Sequence, residues 1–490
     1  MFSKAIFKQS VQTNWKLWAI ITLVASIILS GFIVGYDAAG YASIASAAEG
    51  TAFSSLLSSM DSLLGNLENF YKLIALILGI VYVVFTANNL VVNEVDSGSM
   101  AYTLSTPIKR STVIFTKSLY LILSVVLMYS LVSLAGLFAS QWQYSNVSGY
   151  PITDDIKAAA ETLDQDEGYL SERLYLIEEN EQAMRDAASA RKMDLEAYSI
   201  YLEEVIDDHS YEEAAEIISD ERADYYEEDE EMDEEEIEIT MEELMENPQM
   251  ILESNDALTA GAKVRGISLN DYQQFVTDEV RSIDSEENLE EAEDEKQPAI
   301  QITEKNQELL LQSIIEASAT ALNMETSQVE DNLTLVKNPK ALAAATEVTA
   351  LEEEQIVKMI NKSIVSSKRA VDKALEFDRE SYFWLSLGLF TLILAISSIS
   401  FFASTLFNRT GLALAVGGGI PFAFFLFTMV QQLMDDAPGI LEYLTLTTLF
   451  DTEAILAGGD FGWGIAALGG IALFFYTASN ILFTRKDLPL

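Results

Sequence analysis

Cysteine is absent from this chain, and histidine occurs once, as His209. Without cysteine no disulfide can form, so any part that lies outside a cell holds together by packing alone. Thiol and imidazole nucleophile schemes are largely excluded as well. No GxxxxGK(S/T) phosphate loop is present, so the chain does not bind ATP in the P-loop manner. Positive charge is scarce: 29 Lys and Arg stand against 76 Asp and Glu, a net of −47. In so acidic a chain the spacing of carboxylate pairs carries no catalytic information.

What the chain does have is segregated. Half of its 490 residues are hydrophobic and the mean hydropathy is +0.18, which conflicts with the charge unless the two are kept apart. Residues 151–380 hold 63 acids and 19 bases, a net of −44, and the other 260 residues carry a net of only −3. Outside the acidic block, six apolar stretches are long enough for a hydrocarbon core of about 30 Å, which needs about 20 helical residues. They fall at 17–36, 70–92, 118–140, 382–404, 411–430 and 461–483. Lysines before the first and Ala45-Ser46-Ala47 after it imitate a signal peptide, but the run exceeds the roughly 7–15 residues of such a signal and reads as a retained span. No span carries an ionisable residue at mid-depth, which counts against proton-coupled carriers and voltage sensors.

Charge also sets the orientation. With six spans both termini share a side, and that side collects Lys4, Lys8, Lys16, Lys109, Arg110, Lys117, Arg409, Arg485 and Lys486. The other collects Asp37, Glu49, Asp61, Glu68, Asp435, Asp436, Glu442, Asp451, Glu453 and Asp460, with Lys72 the basic exception. Positive charge accumulates in the cytoplasm, so the termini and the 93–117 loop are expected inside and the acidic block outside.

That block reads as helical. Capping-box patterns stand at Ser210 and Glu213, Thr240 and Glu243, and Thr349 and Glu352. Apolar stripes follow Ile356, Met359, Ile360, Ser363, Ala370, Val371 and Ala374, and earlier Leu310, Ile314, Ala317, Ala321 and Leu322. Residues 227–238 contain ten acids in twelve and read as a solvated segment, since no glycine is placed to turn an EF-hand loop. His209 lies among acids without a partner cluster and reads as an exposed bystander.

The most informative segment is polar and lies between the second and third spans. Helical turns from Ser97 to Leu104 should stop near Ser105, because the residue before a proline is pushed out of the α region. Thr106-Pro107 then reads as an N-cap with proline at the first helical position. A third helix from Pro107 to about Ser140 would be on the order of 50 Å long and project beyond the bilayer. The result is a stiff corner between two membrane helices. Its alternative is an ordinary solvated connector whose basic end anchors topology.

The run Glu94, Gly98, Leu104-Ser105-Thr106-Pro107 and Arg110, with Lys117 after it, resembles the cytoplasmic loop of type-2 ABC exporter permeases. Three further regions agree: a basic amphipathic segment at 1–16 like the interfacial elbow helix of that family, Leu441-Glu442-Tyr443-Leu444-Thr445 with Leu449-Phe450-Asp451 like its short external helices (437–456), and the ending Phe483-Thr484-Arg485-Lys486-Asp487-Leu488. The resemblance covers roughly 1–150 and 380–490 and omits the acidic insertion. Hydropathy, charge and capping patterns together give an all-α membrane protein with spans at 17–140 and 382–490 and a helical extracellular domain at 141–381, and the resemblance implies that the 93–117 loop couples to an ATPase. The loop residues implied are Glu94, Ser97, Gly98, Met100, Tyr102, Leu104, Thr106, Pro107 and Arg110. The implied partners are a cytoplasmic ABC ATPase, a second or homologous permease and the lipid bilayer, with no nucleic acid. ATP and magnesium would be held by the ATPase, and this chain would be no enzyme and hold no cofactor. Gly417-Gly418-Gly419 and Pro421 in the fifth span make a candidate hinge, or equally a site of close helix packing. The competing class is a membrane-anchored sensor whose acidic ectodomain captures cationic ligands.

Overall fold

The computed structural model describes residues 2–37, 62–105, 107–226, 239–293, 304–330, 332–433 and 445–486. Thr106, the acidic run at 227–238, Ala45-Ser46-Ala47, residues 441–444 and the terminal Asp487-Leu488 lie outside them. Among the described residues every regular element is helical. Contacts divide the chain into one unit of Met1–Ser148 with Lys373–Leu490 and another of Gly149–Asp372. The second is narrower than the expected 141–381, because the third span continues to Tyr144 and the fourth starts at Arg379.

Among the described residues, six helices of the first unit are long and apolar enough to cross a membrane: Lys4–Val34, Leu63–Asp96, Arg110–Tyr144, Arg379–Leu406, Thr410–Gln431 and Gly462–Arg485. The fourth span is central. It packs against the second, third, fifth and sixth, and Leu385, Leu389, Leu392, Ile393, Ala395 and Ile396 are buried along it. The expected elbow is not a separate element: Lys4–Val34 is one continuous helix. Ile6, Ser10 and Asn14 are buried on the same face as Ile21, Ala25, Leu29 and Ile33, and no proline or glycine interrupts the helix before Gly31. That face lies along the third span, where the Trp18 indole N–H donates to the Ser124 carbonyl at 2.9 Å. The second span begins as an α-helix, passes through a π-helical segment, Phe70–Ala75, and continues as Leu76–Leu90. Tyr71 in that segment shares a hydrogen bond of 2.8 Å with Ser386 of the fourth span. Of the short helices after the fifth span, Thr447–Leu449 and Thr452–Leu456 are seen.

The Gly149–Asp372 unit has two apolar cores joined by one helix, Leu195–Tyr226. Thr240 caps Met241–Glu246 in a complete box with Glu243. Ser210 does not start a helix: it sits inside Leu195–Tyr226 and returns its hydroxyl to Asp207. Thr349 ends a helix, Pro339–Thr349, and donates to Ala345. A hydroxyl can bond backward within a helix as readily as it caps one, so the box pattern alone does not locate an N-terminus. The earlier stripe also rotates: among the described side chains of Glu304–Leu322, Ile314, Ile315, Ser318 and Ala319 are buried.

His209 is not an exposed bystander. It is half-buried and stacks on Tyr150 with ring centroids 3.4 Å apart, and burial pushes its imidazole down to about 3. Arg191 ties the two chain ends of this unit together. It pairs with Asp155 at 2.7 Å and with Asp372 at 2.8 Å, while Tyr198 donates to Asp155 and Tyr201 to Asp372.

Candidate functional site: the helical corner after the second span

After Leu90 the backbone turns sharply at Val91 (φ −125°, ψ −72°) into a short helix, Val92–Asp96. Gly98 then takes φ +73°, a left-handed conformation that a side chain would strain. This turn lets a second short helix, Met100–Leu104, fold back. Ser97 and Ser99 both donate to the Glu94 carbonyl, at 3.4 and 3.3 Å, which closes the turn. Val92, Val95 and Met100 are buried beneath it. Tyr102, by contrast, is 82% exposed, Leu104 is half-buried and Pro107 is exposed.

The corner is pinned from below by one buried cation. Lys117 in the third span is 2% exposed, lies 2.6 Å from the Glu94 carboxylate and donates to the Leu90 carbonyl at 2.5 Å. Leu90 is the last residue of the second-span helix, so the ammonium satisfies a carbonyl that has no helical partner. Glu94 is therefore engaged within the chain.

The third helix starts at Arg110, not at the Thr-Pro pair, and Lys109 stands before it in extended conformation (ψ 139°) without a side-chain cap. That start is tied to the other end of the chain. Arg110 donates to the Lys486 carbonyl at 2.9 Å, and the Lys486 ammonium donates to Thr405 and Leu406, the end of the fourth span. The helix of 35 residues is about 52 Å long at 1.5 Å per residue, close to the length expected. Sequence reasoning missed Asp96, whose carboxylate accepts from the Thr410 backbone N–H at 3.1 Å. Its only signal was its place beside the glycine turn.

The fifth span is broken where its glycines stand. Thr410–Gly417 and Gly419–Leu433 are separate helices, with Gly418 between them at φ −102°, ψ −39°. Pro421 has no N–H to give to the Gly417 carbonyl four residues back. Ser400 of the fourth span supplies that bond instead, at 2.7 Å. A Cβ on Gly417 would meet the Ser400 Cα at 3.2 Å. The break and the close approach thus coexist.

Glu94, Ser97, Ser99 and Lys117 shape or anchor the corner, and among the described residues no three His, Asp or Glu are grouped to hold a metal ion. Two apolar helices are thus joined through a corner held by Lys117, with Tyr102 outward. Residues 5–154 match the ABC-2 family transporter protein family. The ABC-2 match takes in the first three spans and the whole corner and stops just inside the acidic unit. No curated protein and no solved structure matches the chain. With its six apolar helices, the chain is a multi-pass membrane protein similar to ABC-2 transport permeases.

Proposed function

We propose that the chain is the permease subunit of an ATP-driven exporter, with the 93–117 corner as the dock for a separate cytoplasmic ATPase. ATP and magnesium are held by that partner, and a second copy or a homologous permease completes the pathway. The termini and the corner face the cytoplasm, and the acidic unit lies outside. The observation that carries this reading is the coincidence of the ABC-2 match with a corner whose interior is pinned while Tyr102 and part of Leu104 are left uncovered. A large aromatic held outward on a rigid turn suits a protein contact better than a solvated connector. Glu94, first expected at that contact, acts from beneath as the support of the turn.

The test is purification of the tagged full-length chain in mild detergent, with mass spectrometry and ATPase assay of what comes with it. A P-loop ATPase that accompanies the wild type and is lost with Leu104→Asp, while the permease still inserts, is the expected result. Purification without any ATPase, together with saturable binding of basic peptides at physiological salt, would overturn the exporter in favour of a membrane-anchored sensor.

A further inference from the structure

We propose that Asp96 is a positioning residue that ties the corner to the first half of the broken fifth span, so that movement of the corner turns Thr410–Gly417 about Gly418. The source of that movement rests on the ATPase reading above; the tie itself does not.

The first N–H groups of a helix have no partner inside it. Arg409 stands at the N-cap of Thr410–Gly417, and its side chain, a pure donor, makes no capping bond. The acceptor comes from another part of the chain: the Asp96 carboxylate takes the Thr410 N–H at 3.1 Å, and its negative charge suits the positive end of a helix. Val92–Asp96 also packs against Thr410–Gly417. The far end of the same segment is the Gly418 break, where Pro421 leaves a carbonyl to Ser400. One end is thus held by the corner, and the other ends beside the helical bond that Pro421 cannot make. Asp96 itself is exposed, so an ordinary surface acid is the competing reading. That reading gives no reason for a carboxylate to sit on a helix start whose own cap cannot accept.

The chain has no cysteine, so paired labels can be placed without background. Spin labels at Leu412 and Phe383, both exposed, report the distance between Thr410–Gly417 and the outer part of the fourth span in the full-length protein in lipid nanodiscs. A Leu131 and Phe383 pair serves as a control within the bundle. In the chain alone, the Leu412–Phe383 distribution should be narrow in wild type and in Asp96→Asn, which keeps an acceptor. It should lose its narrow peak in Asp96→Ala, with the control pair unchanged. In the complex with the co-purified ATPase, nucleotide should shift that peak in wild type but not in Asp96→Ala, although the ATPase stays bound. An unchanged distribution in Asp96→Ala, a retained nucleotide shift, or loss of ATPase binding would each overturn the proposal. Should no ATPase co-purify, the exporter reading falls, and the measurement on the chain alone still decides whether Asp96 holds the segment.

Discussion

Lys117 is the residue on which the corner depends most. A buried ammonium is tolerable only with its carboxylate in place, and leaving one unpaired costs about 3–5 kcal/mol. Glu94→Ala should therefore lower the thermal unfolding temperature of the detergent-solubilised protein markedly. Glu94→Gln with Lys117→Met, which removes both charges, should recover most of the loss. Equal damage from the single and double variants would mean that the pair does not support the turn. His209 offers a pH test at the same scale. Its folded-state value, pushed down to about 3 by burial, lies below the ordinary value near 6.5. Between those values the unfolded chain binds a proton that the folded one does not, so stability falls as pH falls, by about 2 kcal/mol at pH 5. Glu212 and Glu213 are held up by burial and by the neighbouring carboxylates, which acts in the opposite sense. The readout is thus the difference between wild type and His209→Phe: the variant, which keeps the stack on Tyr150, should resist acid better below pH 6.5.

At the scale of elements, the fifth span exchanges a helical hydrogen bond for one between helices. Ser400→Ala strands the Gly417 carbonyl, and a buried unsatisfied group costs about 1–3 kcal/mol. Pro421→Ala restores the missing N–H, so Ser400→Ala should be much less damaging in that background. A thermal-unfolding double-mutant cycle measures the coupling, and strict additivity would show that the two groups do not exchange. The first helix carries the opposite lesson. Residues 1–16 and 17–34 differ in polarity, yet nothing in their backbone chemistry separates them, and one buried face runs through both. Polarity distinguished two environments; it did not imply two helices.

The whole molecule is governed by the sorting of charge. If the acidic unit lies outside and the termini inside, protease added to intact cells should cleave within residues 151–372 and spare a tag after Leu490. Cleavage of the tag in intact cells would reverse the topology. Arg191, with Asp155 and Asp372, closes the two chain ends of the acidic unit on each other. Resistance of the remaining fragments to further digestion should accordingly drop in Arg191→Ala, since a buried network broken at its centre leaves two carboxylates unpaired.

Six spans, helical elements throughout the described residues, a large acidic insertion and a polar corner bounded near Ser105 were all determined by the amino-acid sequence alone. These follow from hydrophobic length, net charge and proline sterics, which act locally and leave a mark at every position. The tertiary structure decided the rest. The start of the third helix is held by Lys486, whose carbonyl accepts from the Arg110 side chain, and Glu94 faces inward because Lys117, 23 residues on, is buried beside it. Asp96 matters because Thr410, more than three hundred residues away, presents a bare N–H. His209 is stacked because Tyr150 lies against it. Each of these depends on a partner distant in sequence, and a hydrogen bond or ion pair across such a distance leaves no periodicity or spacing for the sequence to record.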